Sequence, residues 1–316
     1  MMLVSTPGRV NGTEGQGGIP QTPRPGVRSV PARVIKFRMP QETFSPAVSK
    51  IRIYPIKSLN PVEVAEARIG PNGGLAHDRI WAIYGSDGRW LNAKRTPAVH
   101  FVEAGFMPDL SFVELSPSKR RNGPAPATFA FPADTAGAAN WFSSYFGEAV
   151  TVRHVEEGFP DDDLAPGPTL VSTPSLEAVR SWFPELSLES ARLRFRANLE
   201  ITGTLAFEED RLFAAEKSDT LRFGIGEVEF EGSNPCARCA VPPRDPETAE
   251  FIPDFQKRFA ELRRSHLPAW SPASRFDHFY RFAVNTRVPP SEVGKTLRVG
   301  DVLTLHDGNG AAPCSG

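Results

Sequence analysis

"KIRIYPIKS", residues 50–58, alternates apolar and polar side chains with the period of two that a half-buried strand requires, and it puts Ile51, Ile53 and Pro55 on one face. The same reading extends along the chain. "PVEVAEARI" (61–69), "RIWAIYG" (79–85), "SFVEL" (111–115), "ATFAF" (127–131), "AVTVRHV" (149–155), "NLEITG" (198–203), "LRFGIGEVEFEG" (221–232), "FYRFAVN" (279–285) and "TLRVGDVLTL" (296–305) are short strand candidates bounded by Gly, Pro, Asn and Asp. So many short strands with turn residues between them predict a mainly β, α+β protein of barrel or sandwich architecture.

Helices are few. In "ADTAGAANWFSSYFG", Asp134 is the expected N-cap, Ala138, Trp141, Phe142 and Tyr145 form the apolar face, and Gly147 stops the helix. "STPSLEAVRSWFP" offers Thr173 as a cap, Pro174 at the first helical position and a stripe of Leu176, Val179 and Phe183. "PDFQKRFAELRR" repeats Phe255, Phe259 and Leu262. The proline-rich stretch near 116–133 is the expected boundary between an N-terminal barrel (46–133) and a C-terminal one (134–308), with tails at 1–45 and 309–316.

The chain has 316 residues, 40% of them hydrophobic and 23% charged, enough to bury a good core. A formal net charge of −1 gives no bulk attraction to nucleic acid or an acidic membrane, so neither is expected as a partner. No apolar run approaches the roughly 20 residues that span a bilayer. Three cysteines are too few for a disulfide framework or a four-thiolate cluster, which points to a reducing, cytoplasmic setting. Residues 1–45 are rich in Gly and Pro, basic and poor in large apolar side chains, the composition of a disordered tail. Their arginines keep open a transit peptide and with it a mitochondrial location.

Chemistry concentrates in a few polar clusters. Lys57, Arg79, Lys94, Arg95, Arg194 and Arg196 supply the forked guanidiniums and flexible ammoniums that a polyanion needs. Ser172 and Thr173, at the start of a helix, add hydroxyls and backbone donors of the kind that hold phosphate. "NPCARCAVPPRDPETAE" (234–250) contains Cys236 and Cys239, which read alone fit half a zinc site, a redox dithiol, a soft ligand to a larger cofactor, or two inert thiols. Zinc lacks a second ligand pair at suitable spacing, since His266 and His278 are twelve residues apart and Cys314 lies in a Gly/Ala/Pro tail. The prolyl context does not suggest a thioredoxin-like turn, and "GIGEVEFEG" lacks the strand–turn–helix setting of a dinucleotide fingerprint.

"YPIKS", "DRIWAIYGSDGRWLNAKRTP", "RFRANLEITG" and, most specifically, "CARCAVPPRDPETAE" occur in the order found in a known family. From about Lys50 to Leu305 the chain resembles the proteins that join an N-terminal MOSC-type β-barrel to a MOSC domain, the group containing the mitochondrial amidoxime reducing component and the C-terminal part of molybdenum cofactor sulfurase. The resemblance implies a protein that binds molybdenum cofactor through the thiolate of Cys239, with Arg238 beside it favouring the thiolate and Cys236 as the spare thiol. It implies cofactor contacts from Lys57, Arg79, Ser172, Thr173, Arg196 and Asn198, chiefly to phosphate, and a loop-organising or proton-relaying role for Asp245. The run "VPPRDPETAE" departs from the family pattern: Pro242, Pro243 and Arg244 precede the acid, and Ala249 stands where glycine is usual. The expected activity is reduction of small N-hydroxylated or other N–O/S–O substrates, with electrons from a separate redox protein. The alternatives are a sulfur carrier using a Cys239 persulfide and a non-catalytic metal-binding protein.

Overall fold

The computed structural model describes residues 45–306 apart from Asp161. The expectations for the two tails and for Cys314 lie outside the described residues, Ser45 alone excepted. The first elements are β1 (Ala47–Ile53), β2 (Val62–Val64), β3 (Glu66–Arg68), β4 (Trp81–Tyr84), β5 (Val102–Phe106), β6 (Phe112–Pro117), β7 (Ala127–Ala130), α1 (Thr135–Phe146) and β8 (Thr151–His154). They are followed by β9 (Leu170–Ser172), α2 (Thr173–Trp182), α3 (Leu188–Phe195), β10 (Leu199–Thr202), β11 (Leu221–Ile225) and β12 (Val228–Ala237). The last are α4 (Phe255–Ser265), β13 (Arg281–Arg287), β14 (Thr296–Arg298) and β15 (Leu303–Leu305). The described residues are therefore mainly β with four α-helices, as the strand and turn pattern predicts.

Eight strands form one sheet in the order β15-β11-β12-β13-β9-β10-β1-β2. It curls until its β1 end meets the approach to β15, where Val48 N–H donates to the Asp301 carbonyl at 2.9 Å and Leu303 N–H to that of Pro46 at 2.7 Å. β9 and β10 pair in parallel, which needs a crossover rather than a hairpin, and α2 and α3 supply it. β11 and β12 form a tight hairpin in which Gly226 takes the left-handed conformation (φ 56°), so "GIGEVEFEG" is a turn between two strands.

The alternation in "KIRIYPIKS" has the expected outcome on one face: Ile51 and Ile53 join a core with Val62, Val64, Phe223 and Phe230. Arg52, on the opposite face, is also buried, its guanidinium paired with Glu189 of α3 at 2.8 Å. A second core lies between α1, through Trp141, Phe142 and Tyr145, and the antiparallel β5-β6-β7 sheet. Asp134 caps α1 by accepting from Gly137 N–H at 2.8 Å, and Gly147 ends it at φ 74°. In a third core, α2, α3 and α4 pack phenylalanines against β13, with Phe195 and Phe282 centroids 4.4 Å apart.

Several details depart from the sequence reading. The α2 cap is Ser172, whose extended backbone lets its hydroxyl accept from Ser175 N–H, and Thr173 is the first helical residue. In α4 the buried stripe runs Phe255, Phe259, Arg263 rather than ending on Leu262. Arg263 is tolerated there because it pairs with buried Asp210 and stacks on Phe207 at 4.1 Å. α3 lacks a clear apolar stripe and was not expected as a helix; Ser187 caps it, and Ala191, Arg194 and Phe195 face inward. β12 continues through Pro235 into the cysteine motif, which a strand interior accepts because the register slips on both sides of that proline. Cys236 lies in the second slip, so the irregularity re-aims the chain at the thiol pair.

Candidate functional site

A cleft of about 690 Å³ is lined from both halves of the chain. Lys57, Arg79, Arg89, Lys94, Arg95, Arg194, Arg196, Arg238 and Arg244 contribute cations, and among the described residues no Asp or Glu lines it. Both cysteines of the motif line it as well, Cys236 buried and Cys239 half-buried. A wall of guanidiniums and ammoniums next to a thiol suits an anionic, acceptor-rich ligand with a soft centre.

The floor is organised around Tyr54, a fully buried ring at the end of β1. The guanidinium of Arg196 lies 4.0 Å from the Tyr54 centroid and that of Arg79 4.9 Å from it. Burial pushes the Tyr54 phenol above its ordinary pKa, with the two arginines partly opposing it, so the ring stays neutral and serves as a π surface. Arg79 also donates to the Arg196 carbonyl at 3.0 Å and to Asn198 Oδ1 at 3.3 Å. Asn198 is 1% exposed and does not line the cleft; its Nδ2 donates to the Arg52 carbonyl at 3.0 Å, so it fixes Arg79 from behind. Ser58, Arg79 and Arg196 all adopt left-handed backbone (φ 73°, 52° and 52°), a conformation that costs an L residue about 1–2 kcal/mol. At Arg196 this is the α3 C-cap, where glycine is the usual choice and an arginine instead reaches the cleft.

The loop after β12 is held by Arg194 of α3. Its guanidinium donates to the Pro242 carbonyl at 2.8 Å and to Asp245 Oδ2 at 2.9 Å. Asp245 also accepts from the N–H groups of Glu247 and Thr248 at 3.0 and 2.9 Å. Burial raises the Asp245 pKa, but these backbone bonds and Arg194 outweigh it and hold the carboxyl below its ordinary value. Asp245 is therefore an ionised acceptor that shapes the loop, and it is not among the residues lining the cleft. Arg238 donates to Cys236 Sγ at 2.8 Å and to the Phe195 carbonyl at 2.5 Å, so its guanidinium braces Cys236 rather than Cys239.

Ser172 and Thr173 lie outside the cleft lining. Ser172 is fully buried and donates to Glu209 Oε2 at 2.8 Å, and Thr173 donates to Glu200 Oε1 at 2.7 Å. The backbone N–H of the cap residue Ser172 also donates to Glu209, at 3.3 Å, so an internal carboxylate sits at the start of α2. Residues not singled out from sequence also line the cleft: His100, Trp90, Phe159 and Arg244. Burial, reinforced by Arg244, Arg196 and Arg194, pushes the His100 pKa down and keeps the imidazole neutral. Among the described residues no group of three or more His, Cys, Asp or Glu is placed to hold a metal ion, which leaves zinc without a ligand cluster there. No helix among them is long and apolar enough to cross a membrane.

Ala249 has a left-handed backbone (φ 55°) in the Asp245 loop, which explains why glycine suits that position. Ala249→Gly is expected to stabilise the protein by about 1 kcal/mol. Thermal unfolding should show a midpoint raised by roughly 2–4 °C; an unchanged or lowered midpoint would mean the loop does not hold this conformation.

Residues 45–149 match the MOSC N-terminal beta barrel domain and residues 169–304 the MOSC domain. The chain is 27% identical over 294 residues to mitochondrial amidoxime reducing component 2 of Rattus norvegicus, covering 80% of this chain and 81% of that protein. It is 25% identical over 266 residues to molybdenum cofactor sulfurase of Homo sapiens, covering 70% of this chain and 29% of that protein. Among solved structures, the YUAD protein from Bacillus subtilis aligns over 82% of this chain and 94% of that chain, with 10% identity and a TM-score of 0.32.

Proposed function

Because the chain belongs to the proteins that carry a MOSC N-terminal beta barrel domain followed by a MOSC domain, we propose that it is a molybdenum-cofactor-binding reductase of small N-hydroxylated or related N–O/S–O compounds. The observation that carries this reading is the presence of the Cys239 thiol in a cleft lined by nine Lys and Arg side chains and, among the described residues, by no Asp or Glu. A phosphorylated pterin dithiolene brings anionic oxygens for the cations and a soft metal for the thiolate, so these residues fit the group. When bound, the cofactor supplies a two-electron reducing centre.

The chain's own residues do the rest. Cys239 serves as the metal ligand, and Lys57, Arg79 and Arg196 present donors to the phosphate, with Tyr54 and Asn198 holding the two arginines in place. Arg238 ties the cysteine motif to the end of α3, and Asp245 sets the loop through Arg194. In the reaction the substrate N–O bond breaks, an N–H bond forms, and oxygen leaves as water with two electrons and two protons consumed. The electrons come from a separate redox protein, since three cysteines cannot supply the four thiolates of a cluster. A second reading, a Cys239 persulfide that transfers sulfur, draws on the similarity to molybdenum cofactor sulfurase.

Protein purified from a host that makes molybdenum cofactor should convert an amidoxime to the amidine when supplied with reduced viologen, oxidising two viologens per amidine. Molybdenum-loaded protein that leaves a panel of amidoximes, N-oxides and sulfoxides untouched would rule out the reductase reading. Labile sulfane sulfur on Cys239 in place of molybdenum would favour the carrier.

A further inference from the structure

The cleft has an aromatic wall as well as a cationic one. Trp90, 40% exposed, lies beside Phe159, their centroids 5.3 Å apart. Trp90 is held in place by an edge contact with Tyr84 at 6.4 Å and by Arg95, which donates to its carbonyl at 3.1 Å. The Lys57 ammonium lies 4.7 Å from the Phe159 centroid, so charged and aromatic surfaces are continuous. Arg89, Trp90, Lys94 and Arg95 are all exposed and mark the mouth of the cleft, whereas Arg79 and Arg194 are buried in its floor.

The cations exceed what one phosphate uses. A phosphate monoester carries about −1.5 to −2 at neutral pH, a charge that the proposed cofactor residues Lys57, Arg79 and Arg196 can meet even though Arg79 is also paired with Asp78 at 3.2 Å. Arg194 is paired with Asp245. Arg89, Lys94, Arg95 and Arg244 make no ion pair among the described residues, yet all four line the same cleft as Trp90 and Phe159. An exposed tryptophan face with uncompensated cations around it fits a flat ring that bears an acid group.

Resting on the reductase reading above, we propose that Trp90, Phe159 and the neighbouring cations form a substrate subsite selective for planar aromatic compounds that carry a negative charge. The ring stacks on Trp90 and the acid group faces Arg89, Lys94, Arg95 and Arg244. The selectivity is for charge as well as shape, so neutral and aliphatic N-hydroxy compounds are poorer substrates.

Molybdenum-loaded protein is assayed with four amidoximes: aryl with a carboxylate, neutral aryl, alkyl with a carboxylate, and neutral alkyl. The aryl carboxylate should have the lowest KM, about tenfold below the neutral aryl compound, and the advantage should shrink as salt rises. Trp90→Ala should raise the aryl KM about five- to tenfold with molybdenum and pterin content unchanged, and the double variant Arg89→Gln, Lys94→Gln should reduce the preference for the acid. Equal KM values across the four would overturn the proposal, as would loss of pterin from Trp90→Ala, which would assign the wall to the cofactor. If none of the four is turned over, the amidoxime part of the reductase reading fails. Titration of tryptophan fluorescence with the aryl carboxylate then decides the subsite: quenching that disappears in Trp90→Phe supports it, and no quenching in the unmodified protein overturns it.

Discussion

Cys239→Ala is expected to lower amidoxime reduction by more than about 100-fold while leaving the far-UV circular dichroism and the unfolding midpoint close to those of the unmodified protein. Loss of groups that merely support a metal ligand costs about 10–100-fold, so loss of the ligand itself exceeds that range. Cys239 is half-buried at the cleft wall, beyond the end of β12, and its removal leaves no cavity in a packed core. Cys236 differs in each respect. It is 3% exposed, sits at a slip in the β12–β13 register and accepts from Arg238 at 2.8 Å. Cys236→Ala is therefore expected to cost stability, about 1–2 kcal/mol, and only a few-fold in turnover. Steady-state assays and thermal melts of the two variants side by side check this; equal losses of turnover in both would remove the ligand assignment.

Gly232→Ala should produce the largest loss of stability. A methyl group at Gly232 would lie 1.6 Å from the carbonyl oxygen of Leu212, inside any permitted contact. Neither partner can yield by a side-chain rotation, because the obstacle is backbone at the end of the short helix Glu208–Leu212 and Gly232 is in the interior of β12. Relieving the clash means separating β12 from that helix, and with it the packing around Glu209 and Asp210. The expected cost is about 3 kcal/mol or more, a fall of roughly 10 °C in the unfolding midpoint. Gly224→Ala on β11 is the comparison, since its nearest non-neighbour is the Thr304 hydroxyl at 3.0 Å, a side chain able to give way. A Gly232→Ala melt within a degree of the unmodified protein would mean that β12 and the 208–212 helix do not pack this closely.

The period of two in "KIRIYPIKS" and the caps at Asp134 and Gly147 were legible because strand alternation and helix termination are local properties. α3 was not, because its inward side chains include Arg194, a charged residue whose burial makes sense only once Asp245, fifty-one residues later, is seen beside it. β9, only three residues long, is a strand only by virtue of its neighbours β10 and β13. The site divides in the same way. Lys57, Arg79, Arg196, Arg238 and Cys239 stand out by residue type and motif, and the fold brings them to one cleft. Tyr54 and Trp90 fall inside the runs "YPIKS" and "DRIWAIYGSDGRWLNAKRTP" but not at the charged positions that stand out there, and His100 lies outside them; their parts depend on which arginines and rings reach them through space. Ser172 and Thr173 show the reverse: a helix start that reads as a phosphate seat is served internally by Glu209.

Elemental analysis of the purified protein, combined with fluorescence of the oxidised pterin, tests most directly whether the cationic cleft and Cys239 hold a molybdenum cofactor. The protein should be made in a host that synthesises the cofactor, and molybdenum and pterin should each approach one per chain. A folded protein from that host with neither molybdenum nor pterin would contradict the assignment of the cleft.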